Sequence, residues 1–284
     1  MTRAHGTSRK ASFSELYDQP DPRLYYRMLA DLDYQTPAHG QRAVGRLLAA
    51  ATAGREPPVI ADLCCSYGIM SALLTCDITW DALSAHYRNP ALDDLTPEQL
   101  ATADQAWYAD RRHADAPRVV GVDVATRAVA YGERVGLHRP GFAENLETGG
   151  PSEALAAALR PVRLVTVSGG VSYITERTLE HVLSCCDEPP WLAAFVLRSY
   201  DYAAITAAGR RHGLVTERLE GRTFRQRRFV DDRERDATLE RLAELGKDPA
   251  PEAADGYHHT ELFVSRPAAS ASARPLAAVL AARG

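Results

Sequence analysis

Lysine is almost missing from this chain of 284 residues: Lys10 and Lys247 are its lysines, and arginine supplies nearly all the positive charge. Alanine is abundant, so the bias reads as compositional rather than functional. Positive charge is not in excess either. Lys and Arg total 33 against 37 acidic residues, a formal net charge of −4. That balance gives no electrostatic hold on nucleic acid or an acidic membrane. No stretch approaches eighteen continuous apolar residues, so no membrane span is expected. The opening MTRAHGTSRKASF has no apolar run, which excludes a signal peptide and makes the cytoplasm the expected compartment. Cysteine is sparse, and Cys64, Cys65, Cys76, Cys185 and Cys186 contain no C-x-x-C. Adjacent cysteines in a strand point to opposite faces, which suits neither a zinc knuckle nor a disulfide. They read as small buried residues, and no metal site is expected. No internal repeat is present.

What is there suits a soluble globular domain: 45% hydrophobic and 25% charged residues, enough for one large core with an insertion. Residues 1–40 hold Tyr17, Tyr25, Tyr26 and Tyr34, with prolines at 20, 22 and 37 that interrupt any long helix. They read as an N-terminal arm or lid. HGQRAVGRLLAAATAG predicts a helix stopped by Gly54. After the strand PPVIADL, the helix IMSALLT follows Gly68. Residues 75–116 predict two more helices, the second opened by Thr96 as N-cap and Pro97 in the first turn. Strands are then expected in RVVGVDV, GFAENLE, VRLVTVSGGVSYI, PWLAAFVLRSY and LVTERLEGRTFRQRRF (a strand with extensions), and last in HHTELFVSRP. The helices TRAVAYGERVGL, PSEALAAALR, TERTLEHVLSCC, AAITAAGRRHG and DDRERDATLERLAELG lie between them. The α/β domain is expected to end near residue 267, with 268–284 a flexible tail, frayed or weakly helical.

Alternating strands and helices predict a mostly parallel sheet covered on both faces, with room for an antiparallel last strand. Ligands on such sheets bind beyond the carboxyl ends of the strands. Strand one ends in Asp62 and the turn Cys64-Cys65-Ser66-Tyr67-Gly68. The second ends in Asp123, the third in Glu144-Asn145, the fourth in Ser168 through Tyr173, and the fifth in Arg198 through Asp201. A carboxylate such as Asp123 can accept both hydroxyls of a ribose diol, and Asn145 can pair with an adenine edge. Gly68 allows close backbone approach.

This succession resembles the class I S-adenosylmethionine-dependent methyltransferases over residues 40 to 267. ADLCCSYG matches their first loop, commonly D/E-x-G-x-G-x-G, VVGVDVATRAVAYGERVGL their second motif, FAENLE the third, and VRLVTVSGGVSYITERTLEHVL the fourth. The resemblance implies a Rossmann-like α/β fold with an antiparallel last strand, here with a helical insertion after the first βα unit. It implies S-adenosyl-L-methionine as cofactor, held by Asp62, Cys64, Ser66, Gly68, Asp123, Asn145 and Ser168. Two departures stand out. Cys64 and Ser66 occupy glycine positions, where positive backbone angles are costly. The insertion carries Trp80, Tyr87, Trp107 and Tyr108, read as aromatics anchoring it to the core. A nicotinamide dinucleotide enzyme is excluded, because CCSYGI cannot cradle a pyrophosphate.

Methyl transfer is an in-line displacement in which the protein aligns the nucleophile and excludes water. His86, His113, His181, His258 and His259 are candidate bases, and none is assigned. His258 and His259 are expected away from the cofactor end. An aromatic face attracts a sulfonium, which nominates Tyr173 at the reacting end and Tyr17 as a lid. The expected substrate is a small molecule. Arg222, Arg225, Arg227 and Arg228 read as a solvated, salt-bridged face. Two alternatives stay open. One resembles the azetidine-2-carboxylate synthases, which close a ring within the cofactor and release methylthioadenosine. The other is an inactive methyltransferase fold that only binds.

Overall fold

The computed structural model describes residues 17–52 and 58–281. Residues 1–16 of the arm and the Gly54 helix stop lie outside the described residues. The arm leads into α1 (Arg23–Asp31) and α2 (Thr36–Ala51), so α2 begins before residue 40 and crosses the expected boundary between arm and domain. Pro37 lies in the first turn of α2, where its missing N–H costs nothing. Then come β1 (Val59–Leu63), α3 (Ile69–Thr75), and the insertion helices α4 (Trp80–Tyr87) and α5 (Pro97–Ala109). Next are β2 (Arg118–Asp123), α6 (Thr126–Arg134), β3 (Gly141–Ala143) and α7 (Glu153–Leu159). The second half holds β4 (Leu164–Ser168), α8 (Glu176–Cys185), β5 (Trp191–Leu197), α9 (Ala203–Arg211), β6 (Leu214–Arg218) and β7 (Phe224–Arg228). It closes with α10 (Asp232–Glu244), α11 (Ala250–Asp255), β8 (Tyr257–Pro267), α12 (Ala268–Ala273) and α13 (Leu276–Ala281).

The strands form one sheet in the order β3-β2-β1-β4-β5-β8-β6, with β7 also on β8. β1 through β5 pair in parallel, and β8 runs antiparallel to β5 and to β6. β6 and β7 follow one another along the same edge of β8, from Leu214 opposite Pro267 to Arg228 opposite Tyr257. The expected strand with extensions is therefore one long strand interrupted at residues 219–223. Because β8 is reversed, its start lies beside the end of β5, with Leu197 opposite Thr260. His258 and His259 therefore stand at the carboxyl end of the sheet, contrary to the sequence-based placement. The antiparallel last strand was expected, and its direction brings its start, rather than its end, to that edge.

Period-two alternation splits the core. Val59, Ala61 and Leu63 join the leucines and valines of α7 and α8 and Ile205 and Ala208 of α9 on one face. Ile60 faces the other, where α1, α2, α3, α6 and the insertion gather. In the insertion, Thr96 and Gln99 form the capping box of α5. Asp104 of α5, fully buried, accepts hydrogen bonds from Tyr87 Oη (2.8 Å), His86 Nε2 (2.7 Å) and Tyr131 Oη. Tyr26 of α1 stacks on Tyr87 at 4.3 Å and on Trp80 at 6.0 Å. The insertion aromatics thus anchor the added helices to the core, as their composition suggested. The tail differs from expectation. Leu276 and Val279, one turn apart on α13, are buried in the core beside α2.

Candidate functional site

The loop leaving β1 keeps the backbone of a glycine-rich turn without its glycines. Cys64, Ser66 and Gly68 all lie in the left-handed region, with φ of 56°, 47° and 84°. For the two non-glycines that geometry costs roughly 1–2 kcal/mol each, so the surroundings must hold it. Ser66 N donates to Asp123 Oδ2 at 2.9 Å, while Ala125 N donates to Asp123 Oδ1 at 2.9 Å. Cys65 N reaches Val122 O at 3.3 Å, and Gly68 N closes the turn on Cys65 O at 2.9 Å. Space is made on the facing strand end. A Cβ on Gly170 would lie 2.3 Å from Cys64 Cβ, and one on Gly169 would lie 2.3 Å from Tyr34 Oη.

Next to this loop is a cavity of about 30 Å³ lined by Tyr25, Tyr34, Pro37, Asp62, Cys64, Cys65, Ile69, Met70 and Ser168. Of the residues expected from sequence, Asp62, Cys64 and Ser168 meet here, and Ser66 is joined to Asp123 beside it. Asp62 is 3% exposed. Burial pushes its carboxyl up to about 8, the nearby Asp123 adds to the rise, and a hydrogen bond with Ser71 opposes it. Asn145 stands apart, exposed beyond β3, with its Oδ1 accepting Glu147 N at 3.0 Å in a tight turn.

The arm roofs the cavity. The Tyr17 ring lies 5.3 Å from Tyr25 and 6.5 Å from Tyr173, so the expected lid and the expected reacting-end residue do meet. Tyr173, about half exposed, sits in a 3-10 turn at residues 171–173. Burial raises the phenol of Tyr17, and pushes that of Tyr34 up to about 12. Tyr67 pins the arm: its Oη accepts Gln19 N at 2.7 Å and donates to Gln19 O at 2.8 Å. Asp18 Oδ1 accepts the N–H groups of Arg127 (2.6 Å) and Ala128 (3.3 Å), capping α6 from outside. Arg23 pairs with Asp21 and reaches Leu92 O in the insertion at 2.6 Å.

Tyr25, Tyr34, Pro37 and Met70 were not singled out as site residues in the sequence. The clustering of tyrosines and prolines in the arm was the available signal for three of them, and Met70 had none. The basic run divides. A bulge between Arg225 and Arg227 turns both Gln226 and Arg227 inward. Arg227 makes a buried bidentate pair with Glu234 at 2.9 and 2.6 Å. Arg225 pairs with Asp255 and Arg228 with Tyr257 at the surface, as a salt-bridged face would. Among the histidines, His259 is held by Asp255 and Thr223, His86 by Asp104, and His258 Nε2 lies 3.4 Å from Glu234. Among the described residues, no group of three or more His, Cys, Asp or Glu is placed to hold a metal, and no helix is long and apolar enough to cross a membrane.

A sheet ordered 3-2-1-4-5 and continued by a reversed strand, with a left-handed loop after β1 and an acid ending β2, decides the architecture. The chain has the class I methyltransferase fold. No known protein family matches its sequence, and no curated protein does. Solved structures with loosely similar shape include the plantazolicin methyltransferase BpumL in complex with SAH, at 10% identity over 90% of this chain and 97% of that one, TM-score 0.42. DesVI of Streptomyces venezuelae is 10% identical over 91% and 100%, TM-score 0.42. A TehB-like SAM-dependent methyltransferase from Corynebacterium glutamicum is 13% identical over 84% and 93%, TM-score 0.41. At such scores, this methyltransferase fold rests on its own strand order.

Proposed function

We propose that the protein is an S-adenosylmethionine-dependent enzyme that transfers a methyl group to a small molecule. The observation that carries this reading is the loop: three alternate residues held left-handed at the end of β1, with the middle N–H on the acid of β2. The residues present fit the cofactor. Each oxygen of Asp123 accepts one backbone N–H and keeps a lone pair for a ribose hydroxyl. Asp62 and Ser168 would face its amino-acid end, Asn145 its adenine, and Tyr17, Tyr25, Tyr34 and Tyr173 its cationic sulfur. When bound, S-adenosylmethionine supplies an electrophilic carbon on a sulfonium.

The chain's own work is to orient and to exclude water. A cavity of about 30 Å³ holds little more than a water molecule. Binding therefore requires the roof of Tyr17 and Tyr25 to move outward and then close. Asp62, neutral at pH 7 when its carboxyl is pushed up to about 8, would lose its proton as a cation arrives. The tight roof also favours a second reading, in which the pocket takes the cofactor as sole substrate and cyclises it with release of methylthioadenosine.

Incubation with S-adenosylmethionine alone, followed by mass spectrometry of the adenosyl products, separates these. Intact, bound cofactor supports methyl transfer to a separate acceptor. Methylthioadenosine above the uncatalysed rate moves the cyclising reading ahead, and no binding of any adenosyl ligand overturns both.

A further inference from the structure

Beneath the loop, 1% exposed, lies His138 in a slot walled by glycines. A Cβ on Gly132 would lie 2.4 Å from the imidazole Nε2, one on Gly121 2.6 Å from Nδ1, and one on Gly68 3.1 Å from Cε1. Any side chain at Gly121 or Gly132 would expel the ring. The glycines missing from the loop at 64 and 66 thus have counterparts under it, where they admit an imidazole. Its Nε2 is 3.4 Å from the carbonyl oxygen of Ser66, and its Nδ1 is 3.3 Å from Ser71 Oγ. Ser71 is fully buried on α3. Burial pushes the His138 imidazole down to about 4, so the ring is neutral at pH 7. A neutral ring that donates from Nε2 to Ser66 must accept from the Ser71 hydroxyl at Nδ1.

We infer that His138 is a positioning residue of the cofactor loop, the central link of a buried chain Ser71–His138–Ser66 carbonyl. Ser66 is gripped on both sides: its N–H by Asp123, its C=O by His138. Those two bonds fix both backbone angles of a non-glycine in the left-handed region. They also keep the Asp123 carboxylate aimed at the ligand. This assignment rests on the adenosyl-binding reading for its purpose, though not for its geometry.

Two measurements on the full chain test it. Calorimetric titration with S-adenosylhomocysteine should show His138→Leu weakened at least about tenfold. His138→Gln, whose amide N–H can reach Ser66 O, should stay within about threefold of wild type. Hydrogen exchange at the Ser66 N–H reads the same positioning without ligand. It should speed up about tenfold in His138→Leu and stay near wild type in His138→Gln. Should His138→Leu fail to fold, Ser71→Ala cuts the chain one link away and should accelerate Ser66 exchange in the same direction. Wild-type exchange at Ser66 in His138→Leu or, where that variant does not fold, in Ser71→Ala overturns the inference. So does a His138→Gln variant as impaired as His138→Leu. If wild type binds no S-adenosylhomocysteine but the exchange pattern holds, the adenosyl reading fails and the positioning role stands.

Discussion

Asp104 in the insertion and Asp62 at the end of β1 are buried to nearly the same degree, 0% and 3% exposed. Asp104 accepts from two phenols and an imidazole. Asp62 has Ser71 for a partner and a second carboxylate, Asp123, for a neighbour. A buried acid surrounded by donors is a structural fastener, whereas one left short of donors is pushed towards its neutral form. The same contrast runs through the backbone. The insertion is capped and regular, while the loop beside Asp62 puts two non-glycines in the left-handed region.

The largest effect should come from Asp104→Ala, which removes the shared acceptor of two buried phenols and a partly buried imidazole. We expect a loss of about 3–5 kcal/mol in urea unfolding, whereas Asp62→Asn should cost little or nothing. Equal losses would erase the distinction. Next, Asp123→Ala should weaken S-adenosylhomocysteine by about a hundredfold in calorimetry, since it removes both the ribose acceptor and the anchor of Ser66 N (charge-assisted bonds of about 1.5–3 kcal/mol). Unchanged affinity would unseat β2 from the site.

A pH series sharpens the comparison further. Between the ordinary carboxylate range and about pH 8, folded Asp62 holds a proton that the unfolded chain has released. Its contribution to stability therefore falls as pH rises through that window. Asp62→Asn should flatten this part of the profile, and a slope unaffected by that change would count against the buried neutral acid. A smaller effect is expected from Ser66→Gly. Where φ is positive, glycine should be neutral or stabilising by up to about 1 kcal/mol, instead of destabilising by a similar amount as in an ordinary loop. Smallest of all, Cys65→Ala should change stability by only about 1 kcal/mol and leave ligand affinity within a factor of about three.

The sheet was legible because fully buried parallel strands such as VIADL and RVVGVD write themselves as apolar runs ending in an acid. α5 was legible through Thr96 and Pro97, which act locally. The loop was legible in position but misleading in residue type, because its left-handed angles are enforced from outside by Asp123 and Gly170. His138 escaped notice for the same reason: its slot is assembled from Gly68, Gly121 and Gly132, far apart in sequence. The antiparallel last strand was expected and is found; what was missed is its consequence, that the start of β8, with His258 and His259, then lies beside the carboxyl end of β5. Leu276 and Val279 looked like low-complexity tail because two apolar residues gain meaning only once α2 lies beneath them.

Asp18 has a kinetic consequence. By capping α6 it ties the arm to the helix that follows Asp123, so lifting the roof exposes two N–H groups that were bonded. At about 1 kcal/mol for a lost cap, with the Tyr67–Gln19 pair adding a similar amount, the uncovered form is a minority of a few per cent. On the proposed function, ligand entry and departure would wait on that minority. The residence time of a ligand in the pocket would then be set as much by an aspartate outside it as by the side chains within.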